Sequence, residues 1–172
     1  MIKDVLSEII AHKKIEVAER KTHLPLVELE RELADTKDIP FRSLKNALEH
    51  SSSGIIAEFK RRSPSKGWLH QTANAAEVTR AYETAGAAGL SVLTDMKYFG
   101  GGMGDLQQAV GSVKIPVMRK EFIVDGYQLV EAKLAGASAV LLIAAAITRE
   151  ECRCCWSCTT SGRWSISRRC IR

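Results

Sequence analysis

Four short apolar runs, spaced by helical stretches, constrain this chain more than any other feature in it. They are Ile55–Phe59, Leu90–Leu93, Val117–Met118 and Ala139–Ile143. Runs of this length that are apolar at successive positions suit strands buried on both faces; a half-exposed strand would alternate. Helical patterns lie between them. One spans 73–85, with Val78, Ala81 and Tyr82 on one side, and others span 105–110 and 126–134. Ala85-Gly86-Ala87 and Ala135-Gly136-Ala137 each close a helix just before a strand, with glycine where a left-handed cap is needed. Alternating strands and helices predict an α/β chain with a parallel sheet, either open and doubly wound or closed as a (β/α)8 barrel. No Gly-x-Gly-x-x-Gly follows the first strand, which counts against a dinucleotide fold.

Ahead of the sheet, residues 1–35 read as helix, interrupted at Pro25, and Ser43 suits the cap of a short helix reaching Leu48. The opening MIKDVLSEIIAHKK is amphipathic and lacks the apolar block of a signal peptide. The longest apolar run, Ala137 to Ile147, is too short to span a bilayer. The expected location is therefore cytoplasmic. Composition enters the argument at one place, a break near residue 150. The formal charge of +5 suggests a polyanion partner, but Arg153, Arg163, Arg168, Arg169 and Arg172 account for it. All five cysteines (Cys152, Cys154, Cys155, Cys158, Cys170) lie in the same stretch, as do Trp156 and Trp164.

In either parallel architecture the chemistry gathers at the C-terminal ends of the strands. The first strand ends in Glu58-Phe59-Lys60, the second in Thr94-Asp95 and the third in Arg119-Lys120-Glu121. Side chains two apart share a strand face, so Glu58 goes with Lys60, and Met118 with Lys120. A Glu-x-Lys in an apolar strand needs partners or a task. A solvated loop with a surface ion pair accounts for Arg61 and Arg62.

These segments carry a resemblance. Residues 56–67 (IAEFKRRSPSKG), 90–100 (LSVLTDMKYFG), 116–124 (PVMRKEFIV) and 140–143 (VLLI) resemble, in order and spacing, the first four strands and loops of indole-3-glycerol-phosphate synthase. The resemblance covers about residues 1–149. It implies a (β/α)8 TIM barrel with helices of residues 1–50 laid over its mouth, strands one to four in 51–149, and so a half barrel of about four βα units. It implies a lyase of tryptophan biosynthesis that closes the indole ring of 1-(2-carboxyphenylamino)-1-deoxyribulose 5-phosphate with loss of carbon dioxide and water. No metal or organic cofactor is implied, and the partner is that small phosphosugar-anthranilate substrate, with no nucleic acid and no membrane. Lys120 matches the general acid, Lys60 the lysine that contacts substrate, and Glu58 its neighbouring carboxylate. Ser63 and Pro64 match substrate-touching loop residues, and Phe99, Phe122 and Leu141 the apolar wall around the aryl ring. Glu121 stands where the family usually has Asp, and its parity points it away from Lys120.

After Glu151 the chain reads CRCCWSCTTSGRWSISRRCIR, with no apolar period. Cys155 and Cys158 have half-site spacing for zinc, but a shifted reading frame accounts for the stretch better. In that frame the cysteine and tryptophan codons read as an apolar string around a glutamate, like the family's fifth strand. Residues 150–172 are thus expected to be an aberrant, disordered tail, and the chain an inactive fragment. The alternatives are another phosphosugar barrel enzyme, such as phosphoribosylanthranilate isomerase, or a zinc- or nucleic-acid-binding module acting through the tail.

Overall fold

The computed structural model describes residues 5–36, 39 and 42–147, and the expectations for the tail fall outside them. In chain order the elements are α1 (Val5–His23), α2 (Leu26–Asp35), α3 (Leu44–Glu49), β1 (Ile56–Phe59), β2 (Arg62–Ser63) and β3 (Gly67–Trp68). There follow α4 (Ala75–Thr84), β4 (Gly89–Leu93), α5 (Met96–Phe99), α6 (Met103–Ser112), β5 (Val117–Lys120), α7 (Tyr127–Leu134) and β6 (Ala139–Val140). The described residues form two compact units, one drawn from 5–36, 122–134 and 142–147, the other from 39, 42–121 and 135–141.

In the first unit, Val17 of α1, Leu29 of α2, and Tyr127 and Val130 of α7 form an apolar core, with Leu26, Leu33, Val124 and Leu134 packed against it. The buried positions of α1 are Ile9, Lys13 and Val17, one per turn, while Val5 and Ile15 stay exposed. The apolar spacing alone would have buried Ile15 and left Lys13 out. Lys13 is buried because Glu16, one turn on, meets its ammonium (2.7 Å). Arg20 pairs with Glu131 (2.9 Å), Lys21 with Asp125 (2.7 Å), and the Tyr127 hydroxyl donates to the Leu24 carbonyl (3.1 Å).

The second unit holds a four-stranded parallel sheet in the order β1-β4-β5-β6. Each strand lies beside the next long one in the chain, with no reversal of order. That is how a barrel begins, whereas a doubly wound sheet turns back at a switch point. All five residues of β4 are buried, as a central strand covered on both faces must be. In-register neighbours in a parallel sheet share a face. One row runs Glu58, Ser91, Met118, Ala139 across the four strands. The next row of the opposite face runs Phe59, Val92, Arg119, Val140.

Local chemistry explains the boundaries. The Ser43 side chain caps α3 by accepting from the Asn46 N–H (3.2 Å), and Asn74 does the same for α4 (3.1 Å). Gly86 and Gly136 adopt positive φ (88° and 80°), the left-handed conformation their positions called for. The face of α4 differs from the one expected: Ala75 and Thr79 are buried, and Ala81 is exposed. Thr79 satisfies its hydroxyl on the Ala75 carbonyl (2.6 Å) and meets Ser112 of α6 (3.1 Å), so a small polar residue serves at the α4–α6 contact. Among the described residues no helix is long and apolar enough to cross a membrane.

Candidate active site

The sheet brings Glu58, Lys60 and Lys120 together at the C-terminal ends of β1 and β5. Lys60 follows Glu58 by two residues and lies on the same face, and its ammonium donates to Glu58 Oε1. Lys120 donates to Glu58 Oε2. Strands in a sheet are about 4.8 Å apart, so with β4 between them β1 and β5 are separated by about 10 Å. The Lys120–Glu58 bridge therefore passes over β4, a span that the long side chains of Lys120 and Glu58 cover together.

One carboxylate thus holds two ammonium groups, each of its oxygens taken by one of them. Burial pushes the Glu58 carboxyl up, but the hydrogen bonds and charges of Lys120 and Lys60 outweigh it and hold the group below its ordinary value of 4.5. All three side chains keep some exposure, between 26% and 37%, so a ligand can reach the two cations. A pair of ammonium groups gathered by a charged carboxylate can donate a proton and can bind an anion. Among the described residues no cluster of His, Cys, Asp and Glu is arranged to hold a metal ion.

Behind Lys120 the strand's other face is fully packed. Arg119 is completely buried, and its Nε donates to the Thr94 hydroxyl (3.1 Å). Thr94 donates in turn to Glu121 Oε2 (2.9 Å), which also faces Arg119 Nη2 (3.9 Å). Glu121 accordingly points away from Lys120, as its parity requires. With Arg119 and Glu121 both anchored on that face, Lys120 between them is directed to the opposite one.

The other expected residues are spread more widely. Ser63 ends β2 and Pro64 begins the tight β2–β3 turn, within the loop expected there. Ser63 is half-buried and accepts from the Lys66 N–H (3.2 Å), and Pro64 is exposed. Phe99 ends α5, half-buried. Leu141 continues the face of Ala139, and its N–H donates to the Arg119 carbonyl (3.1 Å). Phe122 belongs to the other unit, half-buried, its carbonyl accepting from Gln128 (3.0 Å).

Two features were not legible in the sequence. One is the Arg119–Thr94–Glu121 chain. The other is Arg61, which is no solvated loop residue. Its guanidinium forms a two-pronged pair with Asp105 (2.6 and 2.7 Å), donates to the carbonyls of Ala73 and Gly100 (2.9 and 3.1 Å), and lies over the Phe59 ring. The alternation that grouped Glu58 with Lys60 also groups Phe59 with Arg61, and that signal could have found it. A concavity of about 480 Å³ lies beside Arg61, lined by Trp68, Gln71, Thr72 and Met96 among others. None of the three clustered residues lines it, and it lacks their converging charge.

Comparison with known proteins places names beside this geometry. The sequence model for indole-3-glycerol phosphate synthase matches residues 6–161, running past residue 149, where the motif resemblance ended. A protein of that name from Bacteroides thetaiotaomicron is 51% identical over 153 residues, covering 88% of this chain and 58% of the relative. Those from a Nocardioides species and from Dechloromonas aromatica are 44% and 45% identical over 149 and 150 residues, covering 87% and 86% of this chain. The chain spans 56% and 57% of those two proteins.

Proposed function

This chain belongs to the indole-3-glycerol phosphate synthase family, a TIM-barrel family, and on that footing we propose that it carries the acid half of the ring-closing reaction. The substrate is 1-(2-carboxyphenylamino)-1-deoxyribulose 5-phosphate, and the products are indole-3-glycerol phosphate, carbon dioxide and water. Lys120 delivers a proton to the substrate carbonyl as the aryl carbon attacks it. Lys60 contacts the carboxylate that leaves as carbon dioxide. Glu58 holds both ammonium groups charged and in place until substrate arrives. Ser63 and Pro64 contact the substrate from the hairpin, and Phe99 and Leu141 supply a wall for its aryl ring. The work belongs to the cytoplasm, with the rest of tryptophan biosynthesis.

The observation that carries this reading is the single carboxylate shared by two lysines at the C-terminal end of a parallel sheet. An acid is half of what the chemistry needs. By the resemblance, the general base and the phosphate-binding loops fall in the part of the relatives' length that this chain does not span. The 172-residue chain therefore does not turn over substrate by itself. Without donors for the phosphate and a base for the ring, a placed acid lacks the geometry that makes it effective.

The test joins residues 1–147 to the C-terminal part of the Bacteroides thetaiotaomicron relative and follows indole-3-glycerol phosphate by its fluorescence. The chimera is expected to be active, and Lys120→Met to lower its kcat by about 100-fold or more, the usual scale for removing a general acid. An active chimera indifferent to Lys120→Met would refute the assignment of the acid. Steady turnover by the 172-residue chain alone would refute the division of labour.

A further inference from the structure

Ser91 sits at 4% exposure in the middle of β4, and its hydroxyl has no hydrogen-bond partner among the described residues. It is the register partner of Glu58 on one side and of Met118 on the other. It therefore shares the face of the lysine cluster and lies in the row over which the Lys120–Glu58 bridge crosses. A buried hydroxyl left unpaired is costly, because it has given up its hydrogen bonds to water. Alanine would fill the position without that cost, so the hydroxyl calls for an explanation that the resting arrangement does not supply.

We propose that Ser91 is a positioning residue for the Glu58 carboxylate, the donor that takes over when Lys60 or Lys120 turns from Glu58 to substrate. In the resting site each Glu58 oxygen accepts from a lysine, and the Ser91 hydroxyl makes no bond to either. The proposed reaction draws both lysines away, one to a carbonyl and one to a carboxylate. A freed Glu58 oxygen would then be left half-buried beside Ser91, one strand spacing away. A change of serine rotamer, a small rearrangement, brings the hydroxyl to it. The carboxylate then keeps its charge and place and can receive the lysines again.

Among the described residues, the groups that face Glu58 are few. Lys60 comes from its own strand and Lys120 from β5. From α4, the Tyr82 hydroxyl reaches only the Glu58 main-chain carbonyl (3.5 Å). Arg61 is turned to Asp105. The side chains of Leu93 and Met118, neighbours on that face of the sheet, have no hydrogen to donate.

The inference rests on the synthase reading for what removes the lysines, but its test needs no turnover. In the 172-residue chain carrying carbon-13-labelled glutamate, the Glu58 carboxyl is assigned with Glu58→Gln and titrated by NMR. Ser91→Ala is then compared in the parent chain and in Lys120→Met, which imitates departure of the lysine. The expected shift is below about 0.3 pH unit in the parent, where Ser91 makes no bond to the carboxylate, and about one unit upward in Lys120→Met, the effect of losing one donor to a carboxylate. Ser91→Thr, which keeps a hydroxyl, should hold the carboxyl near its Lys120→Met value.

Equal shifts in the two backgrounds, or none in either, would overturn the handover. If Lys120→Met loses its helical circular dichroism, Lys60→Met serves as the second background: an upward shift of about one unit there supports the handover, and a shift equal to the parent's overturns it. A failed titration beside a Lys120-dependent chimera sinks this inference alone. A successful titration beside a chimera indifferent to Lys120 sinks the synthase assignment alone.

Discussion

Arg61→Met should destabilise the chain by about 3 kcal/mol, more than an exposed arginine would. The guanidinium makes two charge-assisted bonds to Asp105 and two to backbone carbonyls. All four donate from the charged guanidinium, and such bonds contribute about 1.5–3 kcal/mol net each. Their sum is reduced because removing the arginine also removes its own desolvation cost, which leaves about 3 kcal/mol. The pair is well covered, at 17% and 10% exposure, so the median surface value of at most about 1 kcal/mol does not apply. Asp105→Asn keeps the shape and an acceptor for the Gly102 N–H (3.1 Å) but strands the guanidinium, and should cost about 2 kcal/mol. Because each single change strands the other partner, the double variant should lose about 3.5 kcal/mol rather than the sum, a coupling of about 1.5 kcal/mol. Urea unfolding of the four chains at neutral pH measures the cycle. Additivity within about 0.5 kcal/mol would refute the claim that these two residues act as one unit.

Three further outcomes are expected. Glu58 has a folded-state value below its ordinary one, so its contribution to stability is present above pH 4.5 and is lost as pH falls through the lowered value. Glu58→Gln should therefore be less stable than the parent at pH 7, and the difference should close in acid titrations monitored by circular dichroism. A gap that widened in acid would reverse the sign. Thr94→Val should cost about 2 kcal/mol by removing the hydroxyl that links Arg119 Nε to Glu121 Oε2, while Thr94→Ser should cost under about 1 kcal/mol. Equal losses from the two substitutions would show that the hydroxyl is not the cause. Gly101→Ala should destabilise by about 2 kcal/mol or more, because a Cβ there would stand 2.0 Å from the Leu93 carbonyl oxygen. Gly111→Ala, in α6 with nothing within 4 Å, should instead gain about 0.5–1 kcal/mol in the same melts.

The long elements were legible because each has a period and an ending. The four apolar runs became the four parallel strands, and Ser43, Gly86 and Gly136 mark helix boundaries where their chemistry says they should. The Glu58–Lys60–Lys120 cluster was legible for the same reason, since two-residue alternation fixes a face and the family's motifs name its residues. What escaped has no period. The one-turn helix α5 follows from Asp95 accepting the Tyr98 N–H (2.7 Å), a single contact. The β2–β3 hairpin is two residues a side. Lys13 and Arg119 are buried cations, and a scale that counts charge as exposed misplaces both, even though Glu16 one turn on and Glu121 two residues on share their faces. Thr79 misled in the same way, because its hydroxyl is satisfied within its own helix. Ser91 was invisible within an apolar run, where one serine reads as tolerated.

The pairing of α1 with α7 also bears on the order in which the chain is assembled. Lys21 waits for Asp125, and Arg20 for Glu131, partners more than 100 residues downstream. At about 5–20 residues per second, α1 leaves the ribosome several seconds to tens of seconds before the residues that complete its core are made. During that interval Val17 and Leu29 have no α7 to lie against. The sheet unit, whose first three long strands follow one another from residue 56 to 120, can begin to form meanwhile. The first helices synthesised are thus among the last to be secured. A chaperone that holds amphipathic segments would find α1 and α2 its natural clients, and pausing translation before residue 127 would lengthen their exposure while β1, β4 and β5 are already made.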